Sequence, residues 1–284
     1  MSVYDFRKLS LDQVRELVSW AEKEGWNPGL QDAELFYCAD PDGFYGYFLN
    51  DLLIGGGSLV SYSGAFGFMG LFIMKPEYRN QGVGQVLWEL RKNALLKRLK
   101  PNAAIGMDGV VAMQPFYQKG GFEFAFTDER HENLGKTFPN NPAISLIAKE
   151  DVSKVMELDL ECFGFDRSSF IENWLFQSTG QAFKYTDENG LQGFVVIRKV
   201  MEGYKIGPLF AETLEVAEAL YERCLSTVVG AKVYIDIPLS NPLAIVLTQK
   251  YQTQPMFECG RMYYGQPPVL PIHKIFGITT LELG

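Results

Sequence analysis

The sequence has few of the residues from which metal sites and disulfide frameworks are built. Its 284 residues include only two histidines, and its four cysteines, Cys38, Cys162, Cys224 and Cys259, lie far apart without a CxxC pair. That spacing matches neither a structural zinc site nor a set of disulfides. We therefore predict no bound metal, and cysteines that stay reduced in a cytoplasmic protein.

Long apolar runs and an excess of positive charge are missing as well. No run approaches the roughly 18 apolar residues that suggest a membrane span, and the start, MSVYDFRKLS, lacks the apolar core of a signal peptide. The net charge of -8 argues against sequence-independent binding to nucleic acid or to an anionic membrane. We expect neither partner, and a neutral or cationic small molecule is easier to accommodate.

What is present is an alternation of short apolar runs and helical periods, typical of a globular mixed α/β fold. In the first half we predict these elements, in order: a strand at 2–9, a helix from 11 to near Gly25, strands at 43–49, 52–62 and 66–74, a helix from near Gly82 to Pro101, a strand at 103–110, a helix at 114–119 and a strand from Phe122.

The second half repeats this order. We predict a strand at 143–148, helices at 151–162 and 169–177, strands at 190–199 and 204–211, a helix at 215–226, a strand at 232–239, a helix at 242–251 and a strand at 256–264. Between the halves, HENLGKTFPNNPA (131–143) has turn formers and almost no apolar period. We place a domain boundary there, between residues 1–137 and 138–284.

One junction in the first half has an unusual composition. In EYRNQGVGQVLWEL (77–90), an arginine and two glycines stand between an apolar strand and a helix. The start of a helix brings unpaired N–H groups and a positive dipole end together, and Gly82 and Gly84 leave room for phosphate oxygens, while Arg79 adds a bidentate donor. The pattern fits neither a Walker loop nor a dinucleotide fingerprint. An anion site is indicated; the simpler alternative is a helix cap with a solvated arginine.

The R-x-x-G-x-G pattern resembles the pyrophosphate loop of the GNAT superfamily of acetyl-CoA-dependent N-acetyltransferases, and QPFYQKGGF (114–122) and the element order over residues 2–130 strengthen the resemblance. GWNPGLQD (25–32), together with the long second half, is similar to the two-module GNAT proteins of the bacterial YitH group. The resemblance implies tandem GNAT-like modules, each a mostly antiparallel twisted sheet flanked by helices. It also assigns the pyrophosphate of acetyl-CoA to Arg79, Asn80, Gln81, Gly82, Val83 and Gly84.

The same resemblance implies roles for residues around that loop. The main chain of Phe72, Ile73 and Met74 would pair with the pantetheine arm, and Tyr117 would protonate the departing CoA thiolate. A phenol has a pKa near 10, against about 8.5 for a thiol, so it carries the proton needed for that step at neutral pH. The residues before Tyr117 depart from the family's usual pattern.

Two carboxylates are candidates for contact with the acceptor amine. The strand at 66–74 holds no glutamate, so Asp108, at the end of the next strand, is our candidate general base, although an aspartate that caps a turn fits equally well. Asp32, in the loop after the first helix, is a candidate for binding the substrate ammonium, against the alternative of a solvated loop carboxylate.

The second half lacks the loop. GPLFAETLEVAEAL (207–220) places two carboxylates where the arginine and glycines should stand, and Thr248 replaces the tyrosine. We expect a degenerate second module that supports the fold and forms one wall of the acceptor pocket. The predicted function is transfer of an acetyl group from acetyl-CoA to a primary amine of a small molecule by a monomer or homodimer. The alternative is a non-catalytic acyl-CoA-binding sensor or assembly module.

Overall fold

A computed structural model describes residues 3–284, and a single twisted sheet runs through it. Ser2, included in the predicted first strand, lies outside the described residues. The strands are β1 (Tyr4–Lys8), β2 (Phe44–Leu49), β3 (Leu52–Tyr62), β4 (Phe66–Met74), β5 (Ala104–Val110), β6 (Glu123–Leu134), β7 (Ile144–Leu146), β8 (Gly180–Asp187), β9 (Gly190–Lys199), β10 (Tyr204–Ala211), β11 (Lys232–Pro238), β12 (Gln254–Tyr264) and β13 (Ile275–Gly277).

Helices flank this sheet. They are α1 (Leu11–Lys23), α2 (Asp32–Ala39), α3 (Val83–Leu96), α4 (Gln114–Lys119), α5 (Val152–Phe163), α6 (Ser168–Leu175), α7 (Leu214–Thr227) and α8 (Pro242–Lys250). Helix α1 shows how local sequence fixes a start: Ser10 and Gln13 form a reciprocal capping box. None of the helices within residues 3–284 is long and apolar enough to cross a membrane.

The two halves exchange strands in the middle of the sheet. The strand order is β1-β2-β3-β4-β5-β12-β6-β11-β10-β9-β8-β7, so β12 from the second half lies between β5 and β6. Strand β6, from the first half, in turn pairs with β11. The predicted α/β fold with a mixed sheet is confirmed, but the two halves share one sheet. Strand β6 also continues through His131 to Leu134, so the predicted linker begins inside a strand that is paired on both sides.

Buried ion pairs and aromatic contacts join the halves further. The rings of Phe36 on α2 and Trp174 on α6 are stacked with centroids 6.3 Å apart. Three arginine–aspartate pairs, each with two hydrogen bonds, connect the halves: Arg130–Asp236, Arg261–Asp108 and Arg198–Asp32. Removing one partner of a buried pair costs about 3–5 kcal/mol, because it leaves a buried charge without compensation.

Each half contains one pair of parallel strands that separate. Strands β4 and β5 pair only where residues 66–68 lie beside residues 104–106, and then diverge. Strand β10 pairs with β11 only at 204–206. In the second gap lies β13, which pairs with β10 at Leu209 and Phe210. The chain therefore closes its second gap with its own strand.

Candidate active site

A cavity of about 440 Å³ occupies the gap between β4 and β5. Residues 69–74 of β4 form one side, and Met107, Asp108 and Val110 of β5 form the other. The second half contributes Phe257 and Cys259 from β12, together with residues 281 and 282. Walls from both halves surround one space, which is large enough for part of a small-molecule ligand.

The side of β4 that faces the cavity has an unpaired backbone edge. Strand β3 pairs with β4 on the other side, up to Met74, but β5 leaves after Phe68. The ladder between β3 and β4 is interrupted between Gly70 and Ile73, and Leu71 has a φ of 48°. Such an edge can accept an extended ligand as an added strand. Phe72, Ile73 and Met74, the residues predicted for this role, all line the cavity.

Beyond β4 the chain reaches the N-terminus of α3 through the predicted loop. Arg79, Asn80, Gly82 and Gly84 line the cavity, whereas Gln81 and Val83 are outside its lining. Gly82 is the N-cap, with a φ of 78°, and no side chain caps this end. The N–H groups of residues 82–84 donate to no residue that the structure describes. They are free to bind an anion.

Different physical constraints favour glycine at the two glycine positions of the loop, Gly82 and Gly84. A Cβ added at Gly82 meets no atom within 4 Å, so the positive φ is what favours glycine there. A Cβ at Gly84 would lie 3.4 Å from Met74 Cγ and 3.9 Å from Phe72 Cζ. Any side chain at 84 therefore begins beside the edge of β4 that faces the cavity.

Arg79 is already engaged. Its Nε donates to the carbonyl of Met74 at 2.9 Å, and its Nη2 forms an ion pair with Glu24 at 2.5 Å. The side chain is 39% exposed. Contact with a phosphate would require the Glu24 pair to open or to be shared, and an exposed pair of this kind contributes only about 0–1 kcal/mol.

Tyr117 on α4 lines the same cavity and is 4% exposed. Its ring packs on the backbone of Gly109, where an added Cβ would lie 2.8 Å from the ring, and its centroid is 4.8 Å from that of Trp88. Burial raises the pKa of Tyr117 to about 12, although the nearby charge of Arg91 opposes the shift. Its hydroxyl group therefore carries a proton at neutral pH.

Asp108 also lines the cavity, but Arg261 holds both of its oxygens. Arg261 Nε donates to Oδ1 at 2.6 Å and Nη2 donates to Oδ2 at 2.9 Å, and the carboxylate is fully buried. Burial raises the pKa of Asp108, and Arg261 opposes the shift. Neighbouring Asp128 has no hydrogen-bond partner among the described residues; burial and Asp108 raise its pKa well above the usual value.

The ligand atoms of Asp108, Asp128 and Cys259 lie within 4.8 Å of one another, and these are the residues that could hold a cation. The guanidinium of Arg261 already supplies positive charge at this place, since it binds Asp108 and lies 3.8 Å from Asp128. Asp108, Asp128 and Arg261 therefore form a buried ion network that joins β5, β6 and β12.

Asp32 lies outside the cavity lining, and the expected loop environment is wrong. It is the first residue of α2, is 1% exposed, and accepts hydrogen bonds from the Gly29 N–H and from Arg198. Helix α2 was not predicted. The carboxylate of Asp32 is bound in a contact between the two halves of the chain and is not solvated.

Arg91 and Glu282 are site residues that sequence reasoning missed. Arg91 belongs to a basic run, residues 91–100, whose charges are typical of a solvated helix face. In the structure Arg91 is fully buried, and its Nη2 donates to the carbonyls of Ser58 and Gly70. Gly57 makes room for it, because a Cβ there would lie 2.3 Å from Arg91 Cζ. Burial lowers the pKa of Arg91 to about 9. Glu282 enters the cavity from a segment with no predicted function.

This fold and cavity define an acyltransferase of a known family. Residues 11–122 match the model described as acetyltransferase (GNAT) family, and residues 155–277 match the acetyltransferase (GNAT) domain model. Together these matches span most of the chain. The protein belongs to the GNAT acetyltransferases and carries two GNAT domains.

Similar proteins match this chain over nearly its whole length. The chain is 29% identical to the holothin acyltransferase of Pseudoalteromonas sp. strain SANK 73390, over 97% of this chain and 92% of that protein. It is 25% identical to the N-acetyltransferase YitH of Bacillus subtilis strain 168, whose function is uncharacterized, over 94% and 91% of the two chains. A tandem GNAT protein from the clavulanic acid biosynthesis pathway has the same fold, with a TM-score of 0.67, 12% identity, and coverage of 94% of this chain and 100% of that one.

Proposed function

We propose that this acyltransferase transfers the acetyl group of acetyl-CoA to a primary amine of a small molecule, by direct attack within a ternary complex. One observation carries the proposal: the free edge of β4 leads directly to the uncapped N-terminus of α3 at Gly82. An extended pantetheine arm needs the first feature and a pyrophosphate needs the second. The acyltransferase and N-acetyltransferase names of the two relatives support the same reaction class.

In this proposal, the main chain of residues 72–74 pairs with the pantetheine arm, and a backbone N–H there stabilises the charge that develops on the thioester oxygen. Tyr117 gives its proton to the departing thiolate. Its position in the cavity supports that role, and its raised pKa means that the phenol still carries its proton when the thiolate forms. Asp108 as the proton acceptor stays a prediction, and its two hydrogen bonds to Arg261 count against it.

We further propose a single acetyl-CoA site in each chain, in the first domain. Strand β13 occupies the gap between β10 and β11, and Thr213 caps the matching helix α7. In the second domain, a strand of the chain itself therefore fills the gap and a side chain caps the helix, so neither the free strand edge nor the free helix end is available to a cofactor.

The test is release of CoA thiol from acetyl-CoA with a panel of primary amines, each assayed with and without the protein. The proposal predicts thiol release that depends on both the protein and the amine. Binding of acetyl-CoA with no turnover of any amine would favour the sensor alternative, and use of a longer acyl-CoA in preference to acetyl-CoA would correct the donor.

A further inference from the structure

One acidic side chain in the cavity has no partner. Glu282 is 6% exposed and lines the cavity. Its backbone is held, because its N–H donates to Thr280 Oγ1 and its carbonyl accepts from Ser58 Oγ. Its carboxylate forms no hydrogen bond or ion pair with any residue in the described range 3–284. A buried carboxylate without a partner destabilises a fold, so packing alone does not explain this residue.

The position of Glu282 places it at the acyl end of the gap. Its main chain lies against Gly70, where an added Cβ would be 2.1 Å from the carbonyl oxygen of Glu282. Gly70 directly precedes Leu71, the residue at which β4 changes conformation. The phosphate loop at Gly82 lies beyond the other end of the strand. A cofactor laid along β4 with its pyrophosphate at the loop would therefore present its thioester towards Glu282.

The charged groups around Glu282 come from four elements. Lys205 on β10, Arg130 on β6 and Arg198 on β9 favour the carboxylate, and Asp32 on α2 opposes it. Arg130 and Arg198 are already paired with aspartates, and Lys205 donates only to the carbonyl of Trp26, at 3.5 Å. Burial outweighs these cations and raises the pKa of Glu282. The carboxylate is thus a stronger proton acceptor than a surface glutamate.

The cavity has no comparable cation at this end. Arg130 is occupied by Asp236 and the carbonyl of Trp26. The unpaired nitrogens of Arg91 are sealed from solvent, and Arg79 lies at the phosphate end. Among the described residues that line the cavity, the acceptor end therefore offers an unpaired carboxylate but no free cation; Lys205, whose ammonium donates to the carbonyl of Trp26, lies outside that lining. Trp26, Phe257 and Leu281 add apolar surface beside it.

We propose that Glu282 binds the acceptor as an ammonium ion and takes its proton, and that the acceptor is an amine with no carboxylate next to its nitrogen. This inference rests on the proposed function. In the step, the amine nitrogen bonds to the thioester carbon and the carbon–sulfur bond breaks. The ammonium gives one proton to Glu282 before the attack, and Glu282 later releases that proton to solvent. Tyr117 gives its proton to the thiolate and is reprotonated by the second proton that the nitrogen loses as the amide forms.

Binding of a matched pair of probes tests the acceptor class directly. Phenethylamine and phenylalanine differ only in the carboxylate beside the nitrogen, and each can be titrated by calorimetry into the protein saturated with CoA. We expect phenethylamine to bind at least about tenfold more tightly, and Glu282→Gln to abolish that preference. The control is Glu258→Gln, an exposed glutamate outside the cavity lining, which should keep it. Equal affinities in the wild type, or a preference that survives Glu282→Gln, would overturn the inference.

Stability and rate provide readouts that separate this role from a structural one. Because the folded-state pKa of Glu282 is raised, the charged form weakens the fold above the unfolded pKa, and stability falls as pH rises through the folded pKa. Glu282→Gln should therefore raise the Tm at pH 8, and the gain should shrink towards acidic pH. A structural ion pair would give a lower Tm instead, and that result would contradict the inference.

With phenethylamine as acceptor, release of CoA thiol should fall at least about 100-fold in Glu282→Gln. Acetyl-CoA affinity should be unchanged in this variant. Full thiol release by Glu282→Gln, with acetyl-CoA still bound, would remove Glu282 from the mechanism and leave the proposed function standing. If the wild type failed to bind acetyl-CoA, the proposed function itself would fail, and this inference with it.

Discussion

Helices α3 and α7 hold corresponding positions in the two domains, but their N-termini differ. Helix α3 begins at Gly82 with no side-chain cap and no acidic residue in its first turn. Helix α7 begins at Thr213, whose hydroxyl accepts a hydrogen bond from the Val216 N–H at 3.4 Å. Glu215 follows in its first turn, and hydrogen bonds from its own backbone N–H and from Thr213 lower its pKa. The same fold thus leaves one helix end free for an anion and supplies the other with an internal one.

The strand gaps differ in the same way. In the first domain the gap between β4 and β5 is a cavity, and in the second β13 fills the gap between β10 and β11. The chain then continues from β13 along 278–284 to Ser58 and Gly70 of the first domain. One segment therefore closes the second gap and brings Glu282 into the first. The second half of the chain therefore contributes to the wall of the cavity in the first.

The largest effect should come from Gly84→Asp. A side chain there starts 3.4 Å from Met74 Cγ, and the added carboxylate would repel a pyrophosphate. We expect acetyl-CoA affinity to fall at least about 1000-fold, or about 4 kcal/mol, in calorimetry. Glu215→Gln in α7 is the matched change in the second domain and should leave that affinity unaltered. Retained binding by Gly84→Asp would mean that the two helix ends do not differ in the way described here.

Tyr117→Phe should lower the rate of thiol release about 100-fold and leave acetyl-CoA affinity unchanged, because only proton donation is lost. The corresponding residue in the second domain is Thr248, and Thr248→Val should retain full activity. With its pKa raised to about 12, Tyr117 keeps its proton up to about pH 10, so the wild-type rate should not decline from its ionisation below that pH. A rate unaffected by Tyr117→Phe would assign proton donation to another group.

A pair of cap variants should sharpen the comparison at the level of stability. Thr213→Ala removes the side-chain cap of α7 and should lower the free energy of unfolding by about 1 kcal/mol without changing acetyl-CoA affinity. Gly82→Ala places a Cβ at a φ of 78° and should cost about 1–2 kcal/mol. Unlike Thr213→Ala, it should also weaken acetyl-CoA binding. Urea unfolding and calorimetry measure the two effects, and identical behaviour of the variants would argue against different functions for these helix ends.

The smallest effect should come from Glu24→Gln. This change releases Arg79 from its ion pair and removes a negative charge from the cavity wall. Exposed pairs contribute about 0–1 kcal/mol, so acetyl-CoA should bind up to about fivefold more tightly, and less so at high salt. Weaker binding in Glu24→Gln would show that the pair positions Arg79 for the phosphate instead of competing with it.

Local sequence accounts for much of the first domain. Strands β3 and β4 have the predicted bounds because apolar runs end at residues that tolerate positive φ, such as Asn50, Ser63 and Gly64. The elements that were missed lack such signals. Helix α2 is short and has no side-chain N-cap hydrogen bond, and β13 is only three residues long. Strand β8 alternates poorly between buried and exposed positions.

The strand exchange and Glu282 could not be predicted for a different reason. Residues Gly260 and Gly109 are paired across the sheet although they are far apart in the chain, and an apolar period shows that a strand exists without naming its partner. Glu282 is the only charged residue in GITTLELG (277–284), with no spacing that suggests a function. Only the packing of that segment against Gly70 brings it into the cavity.

The stoichiometry of acetyl-CoA binding tests the central claim most directly. Titrated by calorimetry, the wild type should bind one acetyl-CoA per chain, and Gly84→Asp should bind none. Two sites per chain would contradict the account, because the second site would have to lie in the second domain, where β13 fills the gap and Thr213 caps the helix. One site that survives Gly84→Asp would also contradict it, because the cofactor would then bind without the free helix end at Gly82 and Gly84.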